Sequence, residues 1–512
     1  MSIGVYWRLL RAGFVLAREG ALAATDGQPL PAGALRLILF ARLVERRSVR
    51  RTGRVERLAK ALERLGPTWV KLGQLLATRP DIVGVGIAED LSALQDRMPA
   101  FDAALVPGML RAALGEARAG ELKDLSPPVA AASIAQVHRA TLDDGRGTAR
   151  AVAIKILRPG IEERFRRDLD TVMTYARLVE RFSPPARRLR PVAVAETLER
   201  TALIELDLRL EAAAISEMAG MLEGTNGFEV PVVEWAHTAR NVLTTNWIAG
   251  VPIADHPGLD AAGVDRKRLA RELMRHFLRQ AIEHGFFHAD LHPGNLFVDP
   301  ATGAIRAVDF GIMGRIGKRE RRFLAEILFG FITRDYRRMA ALHIEIGYVP
   351  NTYSVEDFAQ ALRAIGEPMF GRPAREISMG RVLAQLMEVT ELFDMQTRTE
   401  LLLLQKTMVV VEGVARSLDP DLDMWTAAEP IVSEWVRRQV GPLGQVEKAL
   451  ELFGDLAAAT RKALSLIERY ERLLVAAERE RGGRPAYLNS WFIATVWIVI
   501  GLAGIAAIVT IF

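Results

Sequence analysis

The segment 288–295, HADLHPGN, places an aspartate and an asparagine at a spacing that suits phosphoryl transfer. Asp290 stands five residues before Asn295, so one tight loop can present both side chains to the same substrate. In such a loop the aspartate accepts or orients the proton of the attacking hydroxyl, and the asparagine holds a magnesium ion. The pattern therefore predicts Asp290 as a catalytic residue and Asn295 as a ligand of Mg²⁺ in a site that uses ATP.

A second acidic motif, Asp309-Phe310-Gly311, stands fourteen residues after Asn295. The sequence between them contains two short apolar runs joined by 300–303 (PATG), which predict a β-hairpin. Such a hairpin would hold Asp309 opposite Asn295. At this spacing the motif predicts a second ligand for the magnesium ion that bridges the phosphates of ATP.

A lysine and a glutamate upstream complete the catalytic set. Lys155 lies in a VAIK run on the predicted strand 151–157, where its ammonium would contact the α- and β-phosphates. Glu211, on a predicted helix, is the partner that we expect to fix the geometry of the lysine. Glu205 and Asp207 stand on the same segment and compete for that role.

A different chemistry would use the same loop. His288, Asp290 and His292 alternate, which is also a pattern of metal ligands on a strand, as in a metallohydrolase. The chain has eight histidines, and no second cluster completes such a site. It has no cysteine, which excludes disulfides, cysteine-based zinc sites and thiol nucleophiles. Phosphoryl transfer is therefore the favoured chemistry.

The elements that must position these residues follow a recognisable order. Hydrophobic periodicity predicts a helical start, then a small β-rich lobe, then a sheet-poor helical lobe. This order predicts an α+β, protein-kinase-like two-lobe fold with a helical N-terminal extension, a helical C-terminal tail and a C-terminal transmembrane helix. The predicted units are the extension 1–125, the N-lobe 126–250, the C-lobe 251–430, the tail 431–488 and the transmembrane segment 489–512.

The C-terminal segment is predicted to span a membrane. Residues 491–512 contain no charged residue, no asparagine and no glutamine, and as a helix they would measure about 33 Å. Arginines precede this run, at 479, 481 and 484. By the positive-inside rule, the expected location is the inner (cytoplasmic) membrane, with a single pass and a cytoplasmic catalytic part. Two alternatives are a buried helix of a soluble core and a short hairpin around Gly501 and Gly504.

The expected glycine-rich phosphate loop is replaced by alanines in the segment 129–138 (VAAASIAQVH). Alanine is nearly as small as glycine but restricts φ, so we expect a stiffer cover over the nucleotide. The predicted ATP-binding residues of this segment are Ala130, Ala131, Ala132, Ser133 and Val137. No Ala-Pro-Glu follows Asp309-Phe310-Gly311, which argues against an ordinary protein kinase and leaves a small-molecule kinase as a rival.

At these residues the chain resembles the UbiB family of atypical, protein-kinase-like kinases of ubiquinone (coenzyme Q) biosynthesis. The resemblance runs from about residue 65 to residue 421. The segment 65–74 (LGPTWVKLGQ) looks like the family's KxGQ element, and 130–133 looks like its alanine-rich loop. The segment 205–207 (ELD) matches its ExD element, and Glu211 falls at its helix glutamate.

The resemblance implies a regulatory segment that folds over the active site. In the family the lysine of the KxGQ element meets the ExD carboxylates, which blocks the usual entrance for a protein substrate. The resemblance thus assigns regulatory roles to Lys71, Gly73, Gln74, Glu205 and Asp207. It also implies ATP hydrolysis coupled to lipid or to the enzymes of ubiquinone synthesis.

Expected cofactors are ATP or ADP and Mg²⁺. Expected partners are membrane lipid, ubiquinone precursors and ubiquinone-biosynthesis enzymes, and a homodimer is left open. The formal net charge of +5 is small for this length, and no nucleic-acid partner is expected. Two alternatives to an active kinase or ATPase stay open: a nucleotide-binding pseudo-kinase scaffold, and a small-molecule kinase. Asn246 occupies the hinge position where an acidic residue is common in the family, and nucleotide binding should survive this change.

Overall fold

The structure of the protein is a computed structural model. It describes residues 3–21, 54–77, 98–143, 149–182, 190–369 and 399–440, with isolated positions between these ranges. The predicted tail beyond residue 440 and the predicted segment 489–512 lie outside the described residues.

The N-terminal extension is helical, as predicted. Its helices are α1 (Ile3–Arg18), α2 (Arg54–Leu65), α3 (Pro67–Ala77), α4 (Val106–Leu114) and α5 (Glu116–Gly120). Helices α2 and α3 pack closely at Gly73, where an added Cβ would lie 2.5 Å from Leu94 Cδ1 and 2.7 Å from Leu62 Cδ1. Glycine at this position therefore allows the helix of the KxGQ element to lie against leucines of its neighbours.

The small lobe is built on one antiparallel sheet in the order β1-β3-β4-β6, with β2 paired to β3. Its strands are β1 (Leu122–Lys123), β2 (Pro128–Ala131), β3 (Ala135–Leu142), β4 (Arg150–Leu157) and β6 (Val242–Asn246). Val152, Ile154 and Ile156 of β4 are fully buried against α4. Because side chains alternate along a strand, Lys155 points to the opposite face, towards the other lobe.

Three helices connect β4 to the second lobe: α6 (Ile161–Phe182), α7 (Pro191–Glu205) and α8 (Leu208–Met221). Helix α8 begins at Asp207, whose side chain accepts a hydrogen bond from Arg209 N–H and so caps the helix. Four residues after this cap, Glu211 is buried on the face that meets the sheet.

The second lobe has two small sheets. One has the order β5-β10-β9-β7 and the other pairs β11 with β8. The strands are β5 (Phe228–Glu229), β7 (Val251–Pro252), β8 (Phe286–His288), β9 (Leu296–Val298), β10 (Ile305–Ala307) and β11 (Met313–Arg315). The predicted hairpin before Asp309 is the β9–β10 pair. Strand β5 ends at Glu229, and Val233 then forms a single bridge to Thr245.

The helices of the second lobe are α9 (His256–Ala261), α10 (Arg266–Arg279), α11 (Lys318–Thr333), α12 (Tyr336–Ile346), α13 (Val355–Gly366), α14 (Thr399–Leu418) and α15 (Met424–Val440). Helix α10 lies in the core, and its Leu269, Leu273 and Phe277, four residues apart, are buried on one face. After α10, one π-helical turn ends at Gly285, whose φ of 69° and proximity to Ile316 O exclude a side chain. The chain then enters β8 and the predicted catalytic loop.

The prediction of a transmembrane helix was wrong for the fold as described. Among the described residues, no helix is both long enough and apolar enough to cross a membrane. Helix α6, for example, has 22 residues but carries charged side chains along its length. The segment 491–512, from which the span was predicted, lies outside the described residues. The single-pass inner-membrane location derived from that segment is not retained, whereas the two-lobe, kinase-like part of the fold prediction is.

Candidate active site

Lys155 is the centre of the site. Its Nζ donates to both carboxylate oxygens of Glu211, at 2.8 and 2.9 Å, and to Asp309 Oδ1 at 2.7 Å. These three residues come from β4, from α8 and from the segment after β10, so the pairing joins the two lobes. Of the three carboxylates that competed for the lysine, the structure brings Glu211 to it.

Lys155, Glu211 and Asp309 shift one another's pKa values, and the shifts keep Lys155 and Asp309 charged. Burial would lower the pKa of Lys155, but Asp309 and Glu211 raise it well above its ordinary value. Desolvation inside the cleft would raise the pKa of Asp309, but the charge and hydrogen bond of Lys155 hold it well below the usual range, with help from Lys71. Burial raises the pKa of Glu211 to about 7 in spite of the lysine beside it. Asp309 is thus the carboxylate that stays ionised across the physiological range.

Asp309 adopts a left-handed backbone conformation, with φ of 63°. This conformation is uncommon outside glycine but is tolerated by aspartate, and its cost is of order 1–3 kcal/mol. The side chain is 45% exposed, so its carboxylate opens onto the cleft although one oxygen meets Lys155. The backbone therefore turns this carboxylate towards the place where a ligand would lie.

In the predicted catalytic loop, the side chain of Asn295 is hydrogen-bonded back to Asp290. Asn295 Nδ2 donates to Asp290 O at 3.0 Å and lies 3.5 Å from Asp290 Oδ2. Val308 N–H donates to Asn295 O at 2.9 Å, which ties this loop to the residue before Asp309. The two loops that carry Asp290, Asn295 and Asp309 are thereby held side by side, as the sequence predicted.

His288 fastens these two loops together, a positioning role that the sequence analysis did not assign. Its Nδ1 accepts from Asp290 N–H at 3.1 Å, and its Nε2 lies 3.3 Å from Val308 O. The ring packs edge-on against Phe310, with centroids 4.8 Å apart. Burial lowers the pKa of His288, which favours a neutral ring that donates through Nε2.

These contacts argue against the metal-ligand interpretation of the alternating histidines. The second histidine, His292, uses Nδ1 to accept from Gly294 N–H and cap the short turn 293–295. In the described part of the chain, no group of three or more His, Asp or Glu side chains could hold a metal ion. Asn295 and Asp309 remain as two candidate metal ligands. Two protein ligands suit Mg²⁺, because this ion takes few protein ligands and completes its coordination shell with phosphate oxygens and water.

The alanine-rich segment forms the hairpin between β2 and β3. Ala130 and Ala131 lie in β2, and the turn is closed by a 2.8 Å hydrogen bond from Ala132 N–H to Ala135 O. Arg158 donates to Ala132 O at 2.8 Å, and Ser133 is fully buried. The turn is thus restrained by its own hydrogen bond and by Arg158.

Val137 lies opposite Lys155 in the register of β3 and β4. Residues paired in this way project from the same face of an antiparallel sheet. Val137 is half-buried, so it offers an apolar surface on the face that presents the lysine. At the end of β6, Asn246 Oδ1 accepts from Val232 N–H at 2.6 Å, which gives the hinge asparagine a structural partner.

The KxGQ element meets one of the two ExD carboxylates. Lys71 Nζ lies 2.9 Å from Glu205 Oε2, and the side chains are only 12% and 8% exposed. Asp207, by contrast, caps α8 and pairs with Arg209 at 2.6 Å. Gly73 lies at the contact of α3 with its neighbours, and Gln74 is half-buried on the same helix.

Lys406, on α14, is a further cation that the sequence analysis missed. The next residue, Thr407, is fully buried, and its hydroxyl donates to Ala289 O at 3.1 Å, directly before Asp290. Desolvation lowers the pKa of Lys406, and this effect is opposed by the charge of Asp290 and assisted by that of Lys71. A lone lysine on a helix gives no signal in a single sequence, because most such lysines are solvated.

Two family models match the chain. The ABC1 atypical kinase-like domain matches residues 93–343, and the UbiB helical domain matches residues 362–423. The first match contains Lys155, Glu211, Asp290, Asn295 and Asp309, and the second contains Lys406.

Curated relatives and a solved structure agree with these matches. A probable protein kinase UbiB from Marinobacter nauticus is 42% identical over 77% of this chain and 72% of its own length. A protein of the same name from Azotobacter vinelandii is 39% identical over 90% of this chain and 87% of its own. The structure of the Rv3197–erythromycin complex from Mycobacterium tuberculosis has a TM-score of 0.50 and 26% identity, covering 70% of this chain and 90% of that one.

Proposed function

The chain belongs to the UbiB family of atypical kinase-like proteins, and from this premise we propose that it binds ATP with Mg²⁺ and transfers or hydrolyses the terminal phosphoryl group in support of ubiquinone biosynthesis. The observation that carries the proposal is the position of Lys155, bonded to Glu211 and to Asp309 across the two lobes. This arrangement is the one that phosphoryl transfer from ATP requires of its lysine.

Each residue has a proposed task in this reaction. Lys155, held by Glu211, contacts the α- and β-phosphates, while the alanine-rich hairpin and Val137 cover the nucleotide. Asp290 orients the attacking hydroxyl of water or an alcohol and accepts its proton. The oxygen then bonds to the γ-phosphorus as the bond to the β-phosphate oxygen breaks and ADP leaves. Catalysis arises mainly from positioning and charge stabilisation.

The donor set fits a magnesium ion. Asn295 would supply an amide oxygen and Asp309 an ionised carboxylate, both hard oxygen ligands of the kind that Mg²⁺ prefers. When bound, the ion would neutralise charge on the phosphates. Lys155 would keep Glu211 as its partner when Asp309 turns towards the metal.

Lys406 adds positive charge beside Asp290. The catalytic loop itself has His292, not lysine, two residues after the aspartate. The charge of Asp290 raises the pKa of Lys406 against the effect of desolvation, and Thr407 fixes this part of α14 to the loop. We assign to Lys406 the stabilisation of charge on the transferring phosphoryl group.

The proposed partners follow from the family resemblance: ubiquinone precursors, lipid and the enzymes of ubiquinone biosynthesis. The closed pair between Lys71 and Glu205 favours a small or lipid-borne acceptor over a protein substrate. Two alternative functions, a pseudo-kinase scaffold and a small-molecule kinase, are distinguished from this proposal by activity assays.

The test is a pair of measurements on the full chain. Titration with Mg-ATP should show at least about tenfold weaker binding for Asp309→Asn than for wild type. It should show no change for Asp260→Asn, an exposed carboxylate paired with Arg266. Equal binding by wild type and Asp309→Asn would contradict the proposal.

Turnover is measured next, with lipid and aromatic precursors supplied. Asp290→Ala should still bind the nucleotide but lose hydrolysis. A wild-type protein that binds Mg-ATP but never turns it over would indicate the scaffold, and fast transfer to a soluble alcohol would indicate a small-molecule kinase.

A further inference from the structure

A basic pocket lies away from the kinase-like cleft, where helix α1 packs on helix α6. Its volume is about 390 Å³, within the range of small-molecule sites. The residues that line it are Arg8, Arg11, Leu65, Arg164, Arg167 and Asp168. Four guanidinium groups thus surround the pocket with a single carboxylate, which leaves a strong excess of positive charge.

Two of the arginines, Arg8 and Arg167, are oriented by hydrogen bonds made through Nε. Arg8 Nε donates to Thr171 Oγ1 at 2.8 Å, and Arg167 Nε donates to Glu163 O at 3.3 Å. Among the described residues these are the hydrogen bonds of the two side chains, so their terminal nitrogens retain donors for a ligand. Planar guanidinium groups with free terminal nitrogens match the oxygens of a phosphate in two-point contacts.

The carboxylate of the pocket is engaged in holding the fold. Asp168 Oδ2 accepts from Thr68 Oγ1 at 3.0 Å, which joins α6 to the first turn of α3, and it lies 4.0 Å from Arg164 Nε. Arg164 Nη2 also reaches Leu65 O at 3.4 Å. One carboxylate that is bound in this way cannot neutralise four cations, so a dianion would relieve their mutual repulsion.

From this geometry we propose that the pocket between α1 and α6 binds a phosphate group, either of a soluble phosphate compound or of a lipid headgroup. The proposal is independent of the ATP site, because none of its residues belongs to the cleft around Lys155. Binding bridges α1 to α6 and stabilises the N-terminal extension.

The experiment is a thermal titration of the full chain with inorganic pyrophosphate at constant ionic strength. We expect a saturable rise in Tm. Because hydrogen bonds between a guanidinium group and a phosphate are charge-assisted and strong, Arg11→Gln and Arg167→Gln should each weaken the affinity about tenfold or more. Both side chains are exposed, so the folded state should tolerate either change. Arg177→Gln, an exposed arginine elsewhere on α6, is the matched control and should bind as wild type.

Asp309→Asn separates this site from the nucleotide site. This variant should show the same rise in Tm with pyrophosphate as wild type. If Asp309→Asn loses that rise, the anion binds in the ATP cleft and the proposal is overturned. A rise in Tm of equal size in wild type, Arg11→Gln and Arg167→Gln would also overturn it.

A second arm identifies the source of the phosphate. Co-sedimentation compares vesicles of phosphatidylcholine with vesicles that also contain phosphatidic acid. Binding to phosphatidic acid that depends on Arg11 and Arg167 supports a lipid headgroup, whereas a response to pyrophosphate alone supports a soluble ligand. Failure of both arms rejects the site.

Discussion

Lys71 and Glu205 form a nearly buried ion pair, 2.9 Å apart, between the N-terminal extension and the end of α7. The pair connects a helix outside the kinase-like domain to the segment that leads into α8 and Glu211. Lys71 also acts electrostatically on Asp309 and on Lys406. The extension therefore contributes a charge to the cleft, and Glu205 is one of the groups that hold this charge in place.

Breaking this pair should be costly. Because removal of one partner leaves a poorly hydrated charge, we expect Glu205→Gln to lower the apparent free energy of unfolding by about 3 kcal/mol. The double variant Lys71→Met/Glu205→Gln should lose less than the sum of the two single variants, as measured in urea titrations. Strict additivity would contradict a direct pair. Asp207→Ala, which removes the side-chain cap of α8, should lose only about 1 kcal/mol.

Gly73 should not tolerate a methyl group. An added Cβ would press on Leu94 and Leu62, so Gly73→Ala should destabilise the protein by about 1–3 kcal/mol. Gly13→Ala is the matched control, because Gly13 lies in helix α1 with no atom within 4 Å of its added Cβ. It should raise stability by up to about 1 kcal/mol, in line with helix propensity. The measurement is the thermal unfolding of both variants. A Gly73→Ala protein as stable as wild type would contradict the close packing at Gly73.

Lys406 should affect turnover more than nucleotide binding. If it stabilises charge on the transferring group, Lys406→Met should lower kcat for ATP hydrolysis by about 10- to 100-fold, with a small change in KM. Lys406→Arg should recover part of the activity because it keeps the charge. Lys267→Met, which removes an exposed lysine from α10, should behave as wild type. Loss of Mg-ATP binding in Lys406→Met would point instead to a structural role.

Two buried histidines should make stability fall in mild acid. Burial lowers the pKa of both His276 and His343 to about 4, from the ordinary value of 6.5. Between these values the unfolded chain binds protons that the folded chain does not, so stability is complete above pH 6.5 and decreases as the pH falls towards 4. The cost at pH 4 is on the order of 3 kcal/mol for each histidine.

The measurement is the apparent Tm at pH 7.5 and pH 5. His343→Gln should show a smaller decrease in Tm between the two pH values than wild type, even if its Tm at pH 7.5 is lower. An identical pH dependence in wild type and variant would show that His343 does not contribute.

The sequence by itself determined the parts of the site that are local. Asp290 and Asn295 share one loop, and a two-stranded hairpin leads from there to Asp309, so short-range turn geometry dictates how these three residues meet. The alternation of β4 likewise determined that Lys155 and the buried residues beside it lie on opposite faces. Order along the chain was enough to predict two kinase-like lobes.

Only the tertiary structure decided contacts between distant segments. It selected Glu211 over Glu205 and Asp207 as the partner of Lys155, anchored α14 beside Asp290 through Thr407, and gathered arginines of α1 and α6 around one pocket. Such contacts depend on how buried helix faces pack. Until that packing is known, several side chains of one helix are equally good candidates for the same contact. Local spacing predicts which residues can react, whereas long-range burial selects the charges that surround them.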